Sequence, residues 1–328
     1  MRRLLLIFLT IQLLPVLLYS QKKVSYDGYF EIGGKAEYNG IYIESYYKAK
    51  MEFEYKINKY TEVEIDIRGN SEERELILYE ASAEFELSDN LELEVGDLKK
   101  RFGYEEWTAR EKLPTIRRSI VNRYLEPLGY VNREPGVQVE WEREGYLLTG
   151  GVHYNESHSV SYIIKAVKRS ISSLDGVFAN LQIIRTRDTE IPNATAFNAG
   201  VFDTVAGFAS VLEFYYGLDP VESHYSALEG GDNDVYLGAV RFITSKIFLF
   251  ENKIICGFEP VLSGAVLVNN MDYTDVNKLQ LMLGFNFYFN DNARLMINGD
   301  LVASNRPFSK SKRSLTDSSA LIQLQVRW

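Results

Sequence analysis

From Tyr47 to Ile57 the chain alternates without a break. Tyr47, Ala49, Met51, Phe53, Tyr55 and Ile57 are apolar, and Lys48, Lys50, Glu52, Glu54 and Lys56 stand between them. Successive side chains of a strand point to opposite faces, so this segment has one wholly apolar face and one wholly ionic face. The pattern resumes after Asn58-Lys59: Val63, Ile65 and Ile67 alternate with Glu62, Glu64, Asp66 and Arg68. It returns as Tyr79, Ala81, Ala83, Phe85 and Leu87 against Glu80, Ser82, Glu84 and Glu86. After Ser88-Asp89-Asn90, Leu91, Leu93 and Val95 alternate with Glu92 and Glu94. A soluble sandwich also alternates, but its strands are shorter and its polar face is rarely so uniformly ionic. Strands of ~10 residues joined by tight turns and longer loops are what a transmembrane barrel requires.

Composition removes the competing classes. The chain has 22 Tyr and 18 Phe against 3 His and 1 Cys, a strand-former's inventory poor in the usual catalytic and metal-binding residues. A helical bundle is disfavoured, and the single Cys256 cannot pair within the chain. The net charge of -9 argues against a nucleic-acid partner.

The two ends suggest a compartment. Arg2 and Arg3 precede an apolar stretch from Leu4 to Leu18, then Ser20 and the polar Gln21-Lys22-Lys23. This is the layout of a secretory signal peptide over residues 1–20, with the barrel over 21–328. An uncleaved anchor is the alternative, although the stretch is short for a spanning helix and Pro15 interrupts it. At the other end Ala320, Ile322, Leu324, Val326 and Trp328 share a face, opposite Gln323, Gln325 and Arg327. That segment resembles the assembly signal of bacterial outer-membrane barrels; a buried edge strand is the alternative. Together the ends predict a Gram-negative-type outer membrane, with its lipid and its barrel assembly machinery as partners.

Parity gives the strand count. With both ends in the periplasm, tight turns follow even strands and long loops follow odd ones. The first five strands read as 24–37, 41–57, 60–69, 73–88 and 91–99. After a long connection, roughly 100–135, come 136–144, 146–155, 160–169 and 174–186. A tenth strand near 195–203 is demanded by parity, and an eleventh near 205–217 precedes the loop 218–234. The rest are 234–244 and 247–262 around Ser245-Lys246, 276–289 and 292–303 around Asn290-Asp291, and 318–328. The expectation is an all-β antiparallel barrel of sixteen strands, with fourteen or eighteen as alternatives. Barrels of about that size enclose an aqueous channel.

Residues 96–137 carry a resemblance. Gly96, Lys99, Phe102, Gly103 and Glu105, then Ile116, Arg118 and Ser119, then Arg133, Gly136 and Val137 match three segments of the phosphate-selective porin O and P family. Leu98, Arg101, Arg117 and Glu134 depart from that family's Phe, Pro, Glu and Asp. The resemblance implies a sixteen-stranded homotrimeric porin, general or anion-selective, whose third loop folds inward to narrow the pore.

Charge and length support the inward loop independently. A connection this long, with an amphiphilic helical pattern over Leu113–Leu125, is more than a surface turn. It is basic inside an acidic chain. The bases are Lys99, Lys100, Arg101, Arg110, Lys112, Arg117, Arg118, Arg123 and Arg133, against Glu105, Glu106, Glu111, Glu126 and Glu134. Arg and Lys at a constriction favour anions, because a narrow low-dielectric pore focuses the field. The competing reading is that these bases pair with the Glu rows of strands two to five and only pin the loop. Those rows also oppose anion preference at the level of the whole lumen.

Other chemistry is sparse. His153, His158 and His224 form no nucleophile–base pattern, and no Gly-x-Ser-x-Gly motif supports an esterase, so the chain reads as a non-enzyme without cofactor or metal. Gly230-Gly231-Asp232-Asn233-Asp234 is oxygen-rich enough for calcium, but such loops are ordinarily just solvated. Three readings stand: a diffusion porin with a mild preference for anions, phosphate among them, or else a cation-preferring one; a non-conducting adhesin or structural barrel; and a barrel hydrolase.

Overall fold

A computed structural model of the chain describes residues 24–37, 43–72, 74–155, 159–171, 174–187, 192–228, 234–252, 254–271, 277–304 and 318–328. The first five strands are β1 (Val24–Glu37), β2 (Ile43–Asn58), β3 (Thr61–Asn70), β4 (Glu75–Ser88) and β5 (Leu91–Lys99). A long segment follows, then β6 (Arg133–Arg143), β7 (Tyr146–Tyr154), β8 (Ser159–Ile171) and β9 (Leu174–Thr186). β10 (Ala194–Val205), β11 (Phe208–Leu218) and β12 (Tyr236–Ser245) lead to β13 (Gly257–Val268), β14 (Asn277–Asn290), β15 (Ala293–Ser304) and β16 (Ser319–Arg327). Each pairs antiparallel with the next, and β1 pairs with β16 from Tyr29↔Arg327 to Glu37↔Ser319. The sheet is therefore a closed sixteen-stranded barrel with no free edge.

The tenth strand, which parity alone demanded, spans Ala194–Val205. It turns into β11 through Ala206 and Gly207, both at positive φ (53° and 80°), the backbone that a two-residue hairpin turn needs. One boundary is corrected. The chain does not reverse at Ser245-Lys246: Phe248–Leu249 extends β12 in unbroken register, with Ser245↔Val261 and Phe248↔Phe258. The reversal lies at 250–256, where Phe250 N donates to Cys256 O at 2.8 Å, so the next strand is Gly257–Val268 rather than 247–262. Ser-Lys lacks the turn chemistry of Gly, Asn or Asp. Lys246 instead sends its ammonium to Ala206 O at 2.7 Å, over the rings of Phe208 and Phe248.

The faces are inverted relative to a soluble domain. Outward positions such as Tyr47, Met51, Ile164, Phe214, Leu281 and Leu283 are exposed and apolar. Their inward neighbours, such as Lys50, Lys165, Glu213, Gln280 and Met282, are buried. No helix among the described residues is long and apolar enough to cross a membrane.

A second correction concerns Tyr79. A bulge in β4 breaks the register between Asp66↔Glu80 and Ile67↔Leu78, leaving Tyr79 without a partner on β3. The extra residue lets both Tyr79 and Glu80 turn inward. The Tyr79 ring centre lies 3.5 Å from the Arg68 guanidinium carbon.

Candidate functional site

The segment after β5 leaves the wall and crosses the barrel interior. It bends at Gly103 (φ 86°), where a Cβ would lie 2.5 Å from the Tyr215 hydroxyl, so only glycine fits. A short helix α1 (Tyr104–Trp107), a 3-10 turn at Arg110–Lys112 and a helix α2 (Ile120–Leu125) follow before the chain rejoins the wall at Arg133. Helix was expected over Leu113–Leu125, but only Ile120–Leu125 is helical. Pro114 holds Leu113 extended (φ -65°, ψ 139°) and delays the start until Ser119 caps it, its hydroxyl accepting from Asn122 N. The connection proper is 100–132, because Arg133 already belongs to β6.

Packing places the loop against one half of the wall. Phe102, Ile120, Val121, Tyr124, Leu125, Tyr130 and Val131 bury against Ile163, Ile184, Ala194, Ala196, Leu237 and Leu267 of β8–β13. Each such large apolar side chain is worth about 1.5–3 kcal/mol when fully buried. The irregular backbone is satisfied by wall side chains, as buried peptide groups must be. Ile116 N donates to Asn298 Oδ1 (2.7 Å) and Ile120 N to Gln280 Oε1 (2.8 Å). Asn286 donates to Pro114 O (2.9 Å), and Arg294 donates to Glu111 O and Leu113 O (2.8 and 2.9 Å). Sequence reading missed these four anchors. Their only signal is a polar residue at an inward position of β14 or β15, which reads equally as lumen wall.

The nine bases separate into two groups. Lys99 donates to Thr108 O (3.3 Å), and Lys100 is buried, pairing with Glu134 at 2.6 Å and donating to Gly129 O at 2.7 Å. Burial pushes the Lys100 ammonium below its ordinary 10.5, against the pull of Glu134. Arg101 binds Glu140, with Glu94 at 3.5 Å; Arg118 binds Glu106; Arg133 binds Glu80. Arg123 lies 3.4 Å from Asp300. Arg110, by contrast, has only Glu31 at 4.0 Å, while exposed Lys112 and half-buried Arg117 have no ion pair among the described residues.

Arg110, Arg117, Arg118 and Arg123 come together around a cavity of about 260 Å³ between the loop and the opposite wall. That wall contributes Lys48, Arg68 and Tyr79, none of which was among the expected site residues, and the loop adds the carboxylates Glu106 and Glu126. Five of these six cations have a carboxylate partner, Lys48 with Glu72 at 2.7 Å, Arg68 with Asp66 at 2.7 Å, Arg110 with Glu31 at 4.0 Å, Arg118 with Glu106 and Arg123 with Asp300, so among the described residues only Arg117 of the six has no ion pair. Toward the tight turns the wall changes sign within one row, from Lys50↔Arg68 to Glu52↔Asp66 and then Glu54↔Glu64. Acids continue sideways as Glu62↔Glu84↔Glu94 and Glu86↔Glu92↔Glu140. Among the described residues no group of His, Cys, Asp and Glu could hold a metal ion. His158 and most of the oxygen-rich loop, residues 230–233, lie outside the described residues. His153 is buried in β7 and faces Glu134 O at 3.4 Å.

No family model matches the chain, and no curated protein matches it. Solved structures do. The in-vitro folded trimer form of OmpT, an outer membrane protein of Vibrio cholerae, aligns with a TM-score of 0.64 at 11% identity, over 93% of this chain and 99% of that one. OmpF of Salmonella typhi, solved with daunomycin, gives 0.67 at 11% identity, over 93% and 97%. A mutant of the Rh. blastica porin gives 0.55 at 9% identity, over 93% and 100%. The chain shares the barrel fold of these outer-membrane proteins over nearly its whole length.

Proposed function

We propose that this chain is an outer-membrane diffusion channel for small hydrophilic solutes, with a mild preference for anions set where the loop narrows the lumen. The observation that carries it is the inward loop itself, packed on one half of a sixteen-stranded wall and facing a charged strip on the other. An adhesin needs no ordered loop inside its barrel, and the sequence carries no Gly-x-Ser-x-Gly motif that would favour hydrolysis. In this reading Arg110 and Arg117 supply the anion preference: they line the cavity with no carboxylate closer than Glu31, 4.0 Å from Arg110, in an ion pair among the described residues, and Glu126 on the same cavity keeps the preference mild. The porin O and P resemblance supports the same reading, and with the trimer form of OmpT it supports a homotrimer. An apolar outer face and the fold of the solved relatives support the outer membrane as its site.

A second reading has its own observation. Most loop bases are ion-paired, whereas Glu64, Glu84, Glu86 and Glu92 have no ion pair among the described residues, which favours cations. Reversal potential across a potassium chloride gradient in a planar bilayer decides. An anion-selective sign supports the first reading, a cation-selective sign the second, and absence of conductance removes both. A single-barrel mass by light scattering in mild detergent would reject the trimer.

A further inference from the structure

Charge around the loop cavity is almost fully answered from within the chain. Lys48, Arg68, Arg110, Arg118 and Arg123 each have a carboxylate partner, and one of those partners, Glu106, lines the cavity itself. Two lining side chains remain, and their signs are opposite. Half-buried Arg117 and exposed Glu126 have no ion pair and no side-chain hydrogen bond among the described residues. Both stand on fixed backbone. Ile116 N, beside Arg117, donates to Asn298 Oδ1 of β15 at 2.7 Å. Glu126 caps the C-terminal end of α2, its N donating to Asn122 O and its O accepting from Gly129 N, each at 3.1 Å. Helix carbonyls disfavour an acid at that end, so local structure gives no reason for a glutamate there.

The spacing of the two charges sets the size of what could meet both. At ~1.5 Å per residue, α2 holds Ser119 and Glu126 ~10 Å apart, and Arg117 precedes Ser119. Glu126 is itself in helical conformation (φ -61°, ψ -55°), and helical side chains lean toward the N-terminal end, here toward Arg117. The two charges of a free α-amino acid sit on one carbon, whereas the termini of a di- or tripeptide stand up to ~7–11 Å apart. A single water needs ~10–15 Å³ of such space, so a cavity of about 260 Å³ has room for a solute. Its lining also suits a peptide between the ends. Leu113, Ile116 and Val131 are apolar, and the exposed Asn132 amide, a donor and an acceptor, makes no hydrogen bond among the described residues.

We propose that the loop cavity is a transit site for short zwitterionic peptides, with the peptide carboxylate at Arg117 and its ammonium at Glu126. This names a solute class for the channel and rests on the reading of the chain as a conducting one. A simple anion gains at Arg117 and is repelled at Glu126, and a simple cation meets the reverse. A peptide with both termini free gains at both. The paired bases around the cavity add nothing to this discrimination, because each already has its counter-charge.

Single-channel current is measured in symmetric potassium chloride at ~0.1 M and about pH 6.5, where both peptide termini are charged. Three probes are added in turn: dialanine, N-acetyl-dialanine, which has only the carboxylate, and dialanine amide, which has only the ammonium. Dialanine interrupts the current and half-blocks at a concentration about threefold or more below that of either analogue. In Arg117→Gln its advantage over dialanine amide is lost, and in Glu126→Gln its advantage over N-acetyl-dialanine is lost. The series on the native channel decides on its own where a variant fails to fold. Equal half-blocking concentrations for dialanine and either analogue, or no block by any of the three, overturn the peptide site and leave the channel reading intact. Retention of the advantage in either conducting variant overturns the assignment to Arg117 and Glu126. Absence of conductance before any peptide is added overturns the channel reading itself.

Discussion

Arg241 of β12 and Glu105 of the inward loop meet at 3.2 Å, with side chains only 1% and 2% exposed. Glu213 of β11 holds the same guanidinium at 2.5 Å and accepts from Tyr104 N at 2.7 Å. Glu105 in turn accepts from Ser119 N at 2.9 Å, so one arginine organises both the first turn of the loop and the cap of α2. Arg241→Leu leaves two buried carboxylates without a cation, a change that typically costs about 3–5 kcal/mol. The barrel ladder does not depend on this residue, so the cost appears as loop detachment and a larger, noisier single-channel conductance. Adding Glu105→Gln and Glu213→Gln restores a narrow, quiet channel. A quiet wild-type conductance in Arg241→Leu alone would sink the clamp.

Gly28 of β1 and Trp328 exchange two backbone hydrogen bonds, 3.3 Å one way and 3.1 Å the other, where the barrel closes. A Cβ at Gly28 would lie 2.3 Å from Lys50 O and 2.8 Å from the Trp328 ring. Overpacking of this kind costs about 1–3 kcal/mol, and the backbone oxygen cannot rotate away. Gly28→Ala therefore lowers the fraction of heat-modifiable folded barrel on gel electrophoresis, and Trp328→Ala in the same chain does not rescue it. Recovery in the double variant would show that the ring alone sets the limit.

The strands were legible because a closed barrel repeats one rule, apolar out and polar in, at every second residue. Where local chemistry broke that rule, reading failed. Tyr79 sat in phase with Ala81 and Ala83, and nothing in the sequence marks the bulge that turns it inward. Ser245-Lys246 is polar but is no turn, because Lys246 can lie outside while the ladder continues into Phe248. The loop was found by its length and charge, yet its basic residues did not reveal their partners. Arg118 and Arg133 look alike in sequence to Arg117, but only contacts such as Arg118 with Glu106, and Arg133 with Glu80, show that they are neutralised. Register also supplies what alternation alone conceals, that Lys50 and Arg68 share one row and Glu52 and Asp66 the next.

Asp219, in the loop after β11, makes the fastening of the inward loop pH-dependent. Burial raises its pKa above the ordinary 3.8, against hydrogen bonds from Glu222 N, the Tyr124 hydroxyl and Val221 N. A carboxyl whose folded pKa is raised binds more protons folded than unfolded. Its contribution to stability is therefore greatest in acid and declines as pH rises through the folded value. Asp219→Asn keeps an acceptor for Val221 N and Glu222 N, now at 3.0 and 2.9 Å, and has no charge to bury. Thermal midpoints of the two proteins should diverge above about pH 4, with the variant gaining. A constant difference from about pH 3 to about pH 8 would rule Asp219 out.

The proposed anion preference turns on which bases are free. Neutralising Arg117, Arg118 and Arg133 together should move the preference toward cations, and the geometry says the three do not contribute equally. Arg118 and Arg133 already face Glu106 and Glu80, so neutralising either removes one charge and uncovers another. Arg117 has no ion pair among the described residues and lines the cavity with Lys48 and Arg68. At this level the lumen is narrow and screening is weak, so one unpaired charge outweighs several paired ones. Arg117→Gln alone should therefore shift the reversal potential in a potassium chloride gradient toward cation selectivity by more than Arg133→Gln does. Arg133→Gln should act chiefly on stability, because it leaves the Glu80 carboxylate buried without its partner. If Arg133→Gln moves the reversal potential as far as Arg117→Gln, paired and unpaired bases count alike. The proposed anion preference would then belong to the loop's total charge and not to Arg117.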